Sequence, residues 1–125
     1  IVDDIKVDDG VAEIGEFAQS ILTNRIHLEL APTSNIQTGV SSSYEAHPIN
    51  LLHKLGFNLS INTDNRLMSN TSLTAEMTHI CQAFEWSAGD LMKITLNSMN
   101  AAFINEEEKL TLSEAIERGY AGTRD

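Results

Sequence analysis

Residues Asn58 to Asp64 alternate in a way that few folds can accept. Counting by twos, Leu59, Ile61 and Thr63 fall on one face, and Asn58, Ser60, Asn62 and Asp64 on the other. A strand of this kind is apolar towards a layer packed on it and polar towards a cavity. Asp64 stands at its C-terminal end, where parallel-stranded barrels and doubly wound sheets hold their chemistry. A carboxylate there can ligate a metal ion, or it can cap the turn that follows.

The rest of the chain frames that strand. Val2 to Asp9 reads as short, acidic and irregular. After Gly10, Val11, Ile14, Phe17, Ala18, Ile21 and Leu22 have the spacing of one buried face, predicting a helix over 11–23. Ile26 to Leu30 alternates and reads as a strand stopped by Pro32. Thr33 to Ala46 is rich in Ser, Thr, Asn and Gly and reads as an ordered loop. His47-Pro48 opens a short helix carrying Leu51, Leu52 and Leu55, which Gly56 stops. Phe57 to Thr63 is the second strand.

Three helices follow. Ser72 caps the first, with Leu73, Met77, Ile80 and Phe84 on one stripe. Ser87 and Asp90 have capping-box spacing for the second, and Asn105 with Glu108 starts the third. Strand, helix, strand implies a parallel pair with a crossover. Two parallel strands with polar second faces (His27 and Glu29 on one, Asn58 to Asp64 on the other) make a poor sheet alone. The pattern therefore predicts an α/β chain that is a piece of a larger barrel.

Bulk properties narrow the partners. The 125 residues suffice for one domain. A net charge of −10 argues against nucleic acid and anionic membrane surfaces, which need clustered Lys and Arg. No stretch approaches the ~18 apolar residues of a membrane span. The single cysteine, Cys81, makes no internal disulfide and fits a reducing, cytoplasmic setting. It also excludes zinc sites built on a Pro-Cys-x-x-Cys pair.

Four segments, in order and in register, resemble the adenosine deaminase family. Leu28-Glu29-Leu30-Ala31-Pro32-Thr33-Ser34-Asn35 is similar to its seventh-strand motif. Gly39 and His47-Pro48-Ile49 match the following loop and helix start. Ser60-Ile61-Asn62-Thr63-Asp64-Asn65 resembles the eighth-strand motif, and Asn97 to Lys109 the C-terminal helical signature. Asn65-Arg66-Leu67-Met68-Ser69 looks like a bacterial branch. The resemblance implies a zinc-dependent (β/α)8 TIM barrel that hydrolyses adenosine to inosine and ammonia. Residues 1–125 would be its C-terminal portion: the end of unit six, units seven and eight, and the C-terminal helices. The family's His-x-His pair, its fifth-strand His, its acid/base Glu and its further catalytic His would all precede Ile1. The chain is then expected to be one piece of a nicked, cleaved or partial enzyme, inactive without the N-terminal portion of the barrel.

The same resemblance assigns roles. Asp64 would ligate Zn2+ and accept a hydrogen bond from the metal-bound water, making it both metal ligand and catalytic residue. Asn65 stands where many members have an Asp that contacts purine N7, and an amide donates to N7 while neutral. Arg66 replaces a common proline; near a barrel mouth it can meet a phosphate, or it is a surface cation. Glu29 points to the lumen as a supporting or structural group. His27, His47, His53 and His79 are read as structural, not as zinc ligands, and Glu106-Glu107-Glu108 as a complement to a helix dipole. Two other readings stay open: an aminohydrolase acting on AMP, adenine or a modified adenosine, and a non-catalytic acidic helical interaction module.

Overall fold

The computed structural model describes residues 1–123. It opens with a 3-10 turn (Val2–Asp4) and a hairpin of β1 (Ile5–Asp8) and β2 (Val11–Ile14). Helix α1 spans Glu16–Thr23, β3 Leu28–Leu30, α2 Pro32–Gln37, α3 Ile49–Lys54 and β4 Leu59–Ile61. Then come α4 (Arg66–Ser69), α5 (Leu73–Phe84), α6 (Ala88–Ala101) and α7 (Glu106–Tyr120).

The N-terminal reading needs correction. Val11–Ile14 is a strand antiparallel to Ile5–Asp8, and the helix starts only at Glu16. The cause is Asp9-Gly10, a two-residue turn with φ of +46° and +78° at its centre. Positive φ at both positions matches the right-handed twist of a hairpin. Ala18 and Ile21 are buried, and Ile14 and Leu22 pack on the core, whereas Val11 and Phe17 are exposed. The start of α1 has no side-chain cap of its own at Gly15. Asp4 supplies one from the first turn, its Oδ2 accepting from the Ala18 amide at 2.8 Å.

The second sheet carries the argument. Strands β3 and β4 are parallel, pairing Leu28 with Leu59, Glu29 with Ser60 and Leu30 with Ile61. Leu59 and Ile61 are buried towards the helices, where Phe57, Ile49, Leu52, Ile80 and Ile94 complete the core. Each such side chain contributes about 1.5–3 kcal/mol on burial. Helices α5 and α6 lie against β4, and the Asn97 amide of α6 donates to the Leu59 carbonyl at 3.0 Å. Helix α7 packs on α6.

Two short helices were absent from the sequence reading. Pro32 starts α2, so Pro32–Gln37 is helical where a loop was expected from Thr33. Proline suits a first helical position because its missing N–H would have no partner there. Helix α4 follows Asn65 directly. The three predicted caps hold: Ser72 accepts from Ala75 N, Asn105 from Glu108 N, and Ser87 and Asp90 form a reciprocal capping box.

Candidate active site

The C-terminal end of β4 gathers the site. Asp64 lies beyond the strand with φ +54°, a left-handed conformation that Asp accepts more readily than most residues. The strand alternation therefore stops short of it. Its exposed carboxylate is turned towards α2, where the Ser34 hydroxyl donates to Oδ2 at 2.7 Å. Oδ1 has no hydrogen-bond partner among the described residues. The capping role open to Asp64 falls instead to Asn65, whose Oδ1 accepts from Met68 N at 3.2 Å. An amide that caps with its oxygen keeps both N–H donors of its NH2 for other partners. Arg66 follows, exposed, in the first turn of α4.

Residues Thr33, Ser34 and Asn35 reach four different side chains from the first turn of α2. The Thr33 amide donates to Glu76 Oε2 at 3.0 Å, and its hydroxyl is 2.7 Å from that of Tyr44. Ser34 holds Asp64. Asn35 Oδ1 accepts from His47 Nε2 at 2.9 Å, while His47 Nδ1 accepts from the Ile49 amide at 3.1 Å. The imidazole is thus neutral with its proton on Nε2. Burial pushes its pKa below the ordinary value, and the nearby Glu76 acts in the opposite direction. His47 shapes the start of α3, as expected.

The polar face of the parallel pair is an open groove of about 240 Å³. His27, Glu29, Ser60 and Asn62 line it from the strands, and Ser98 and Phe103 from the end of α6. His27 Nε2 and the Asn62 amide both lie 2.9 Å from the Ser60 hydroxyl. Those groups satisfy one another, the structural role expected of His27. Asp64 and Asn65 lie outside this groove, which corrects the placement of Asp64 on one face with Ser60 and Asn62.

The remaining histidines are structural as well. His53 donates to Asp90 Oδ1 at 2.7 Å and lies against Trp86, with ring centroids 4.4 Å apart. His79 stacks on Tyr44 at 4.5 Å. Burial, and then Asp90, raise the pKa of the Cys81 thiol, which disfavours its thiolate.

One carboxylate of this region is free to take a metal ion. Asp64 presents a carboxylate oxygen without a partner, in a conformation fixed by Ser34. Among the described residues no group of three or more His, Cys, Asp or Glu side chains is placed to hold an ion. An ion held at Asp64 would need its further ligands from outside these residues. Sequence reasoning singled out Asp64 and Asn65 but not Ser34 and Glu76, which join this region through contacts 30 and 43 residues long.

The architecture is that of deaminase barrels, of which the chain spans about a third. It superimposes on adenine deaminase from Arthrobacter aurescens with a TM-score of 0.81 at 17% identity, covering 83% of this chain and 32% of that one. For the ADAL–IMP complex the TM-score is 0.78 at 22% identity, with 88% and 33% covered. A family profile described as adenosine deaminase matches residues 4–119. The chain belongs to the adenosine deaminase family. It is 45% identical over 123 residues to adenosine deaminase 1 of Streptomyces coelicolor, covering 97% of this chain and 31% of the relative. It is 44% identical to adenosine deaminase of Mycolicibacterium vanbaalenii, covering 97% and 34%. The chain thus spans about a third of the length of the curated relatives it matches.

Proposed function

We propose that this sequence belongs to a zinc-dependent adenosine deaminase that hydrolyses adenosine to inosine and ammonia. Residues 1–125 supply the end of barrel unit six, units seven and eight, and the C-terminal helices. The observation that carries this reading is Asp64 itself. It stands past the C-terminal end of a parallel strand, held through one oxygen by Ser34, with the other open to a ligand.

When bound, zinc lowers the pKa of its water to about 7 and supplies a nucleophile at neutral pH. Asp64 would contribute one ligand, and its carboxylate would accept a hydrogen bond from the attacking water and orient it towards the purine. Asn65 donates its amide N–H to purine N7. Ser34 keeps the Asp64 carboxylate from rotating away. The 125 residues hold one ligand of the set and are inactive without the N-terminal part of the barrel, whose strands cover the open edges of β3 and β4. The unpaired Cys81 accords with a cytoplasmic setting. No helix among the described residues is long and apolar enough to cross a membrane.

Arg66 supports a second reading. Exposed beside Asn65, it can meet a phosphate, which favours a nucleotide such as AMP as substrate. Turnover of adenosine, AMP and adenine by the complete enzyme separates the two. Preference for adenosine supports the first, and preference for AMP that Arg66→Ala abolishes establishes the second. A non-catalytic helical module would leave the open parallel pair and the arrangement around Asp64 without a purpose.

A further inference from the structure

Glu76 is fully buried in the first turn of α5, yet its carboxylate serves two other segments. Oε2 accepts from the Thr33 amide at 3.0 Å, and Oε1 accepts from the Thr71 hydroxyl at 2.7 Å. Thr33 lies in the first turn of α2, one residue before Ser34. Thr71 lies just past α4, the helix that Asp64 and Asn65 lead into. One side chain therefore joins the two segments whose contact is the Ser34–Asp64 hydrogen bond.

The contacts fill a local need. Helix α2 begins after Ala31, which has no side-chain oxygen, and at Pro32, which has no N–H. The Thr33 amide is an unpaired donor of the first turn until Glu76 reaches it. At the far ends of α2 and α4, the Gln37 amide donates to the Ser69 carbonyl at 3.2 Å. Glu76 and Gln37 thus clasp α2, on either side of Ser34 in sequence, to the C-terminal end of the α4 segment, and the fully buried Glu76 makes two bonds where Gln37 makes one.

We propose that Glu76 is a positioning residue for Asp64: it fixes α2 against the α4 segment so that Ser34 holds the Asp64 carboxylate ready for its metal. This rests on the reading of Asp64 as a zinc ligand. Both contacts of Glu76 are accepted hydrogen bonds, so acceptor geometry carries the effect. A Gln side chain accepts from Thr33 with its oxygen and donates to the Thr71 hydroxyl with its amide. A Met side chain fills the volume and makes neither bond.

The test uses the complete zinc-loaded enzyme and follows zinc release to a chelator, kcat and KM for adenosine, and Tm. Glu76→Met is expected to speed zinc release about 10-fold or more and to lower kcat more than it raises KM. Glu76→Gln recovers most of that loss. In a Ser34→Ala background the effect of Glu76→Met shrinks, because both act on Asp64 through one route. Should Glu76→Met fail to fold, Thr71→Val removes one of the two donors and is expected to shift zinc release the same way by a smaller factor. A lowered Tm with wild-type zinc release and kcat, in Glu76→Met or in Thr71→Val, overturns the proposal and leaves Glu76 a packing residue. Asp64→Ala run in parallel separates the two readings. Zinc retained in that variant means the ligand assignment has failed; zinc lost there but unaffected by the Glu76 and Thr71 variants means only the positioning role has.

Discussion

Ser34 donates its hydroxyl to Asp64 Oδ2 at 2.7 Å, joining α2 to the end of β4 across 30 residues of sequence. A hydrogen bond to a charged group is worth about 1.5–3 kcal/mol, and loss of a group that orients a metal ligand typically costs 10- to 100-fold in affinity or activity. Ser34→Ala in the complete enzyme is expected to fold normally and lose about 10- to 100-fold in kcat/KM. Steady-state kinetics alongside a melting curve read this, and wild-type kcat/KM would show that Asp64 needs no such support.

Asn65 joins two tasks in one amide. Its oxygen caps α4, which leaves its NH2 for another partner. Asn65→Ala is expected to cost about 1 kcal/mol of stability through the lost cap. It should also raise KM for adenosine. Asn65→Asp keeps the cap, so its melting temperature stays near wild type while its KM changes. Equal KM in all three proteins would reduce Asn65 to a cap.

His47 makes stability depend on pH near neutrality. Its folded pKa is lowered by burial, with Glu76 opposing. The unfolded chain therefore takes up this proton first. The contribution is fully present above the ordinary histidine value of about 6.5 and is lost as pH falls towards the folded value. Protonation at Nδ1 also breaks the bond from the Ile49 amide. Denaturant midpoints between about pH 7.5 and 5.5 are expected to fall more steeply in wild type than in His47→Gln. Parallel profiles would rule this out.

Asp90 acts in the acid range. The His53 hydrogen bond, then the Ser87 amide, hold its carboxyl down to about 2. Its contribution is present above the unfolded value of about 4 and disappears as pH falls from there towards 2. With the side chain 36% exposed, solvent screening limits the part from the His53 contact to about 1 kcal/mol. Asp90→Ala also loses the capping box, so a total loss of about 1–2 kcal/mol is expected at pH 7. Differential unfolding at pH 7 and pH 2.5 checks it: the difference between variant and wild type should be clearly smaller at the lower pH.

What the sequence made legible was local. Ser72, Ser87 with Asp90, and Asn105 cap helices through residues three positions away, so their spacing is written in the chain. The alternation Leu59, Ser60, Ile61 was legible for the same reason. The N-terminal hairpin was legible too, in Asp9-Gly10, but apolar residues at helical spacing across 11–22 masked it. Helix α2 was hidden by its Ser, Thr and Asn content, residues that favour turns until distant partners hold them in a helix. Ser34 and Glu76 carry no local signal at all. Their partners are set by the crossover that brings β3 beside β4, and only the fold reveals them.

The central claim is that Asp64 ligates the metal of an adenosine deaminase. The most direct measurement is zinc content and adenosine turnover of the complete enzyme, wild type against Asp64→Ala, with folding confirmed by circular dichroism. The account predicts about one zinc per wild-type chain, and a folded variant that loses the metal and at least about 1,000-fold in kcat/KM, on the order of 4 kcal/mol of transition-state stabilisation. A folded Asp64→Ala enzyme that keeps its zinc and turns over adenosine at the wild-type rate would contradict it.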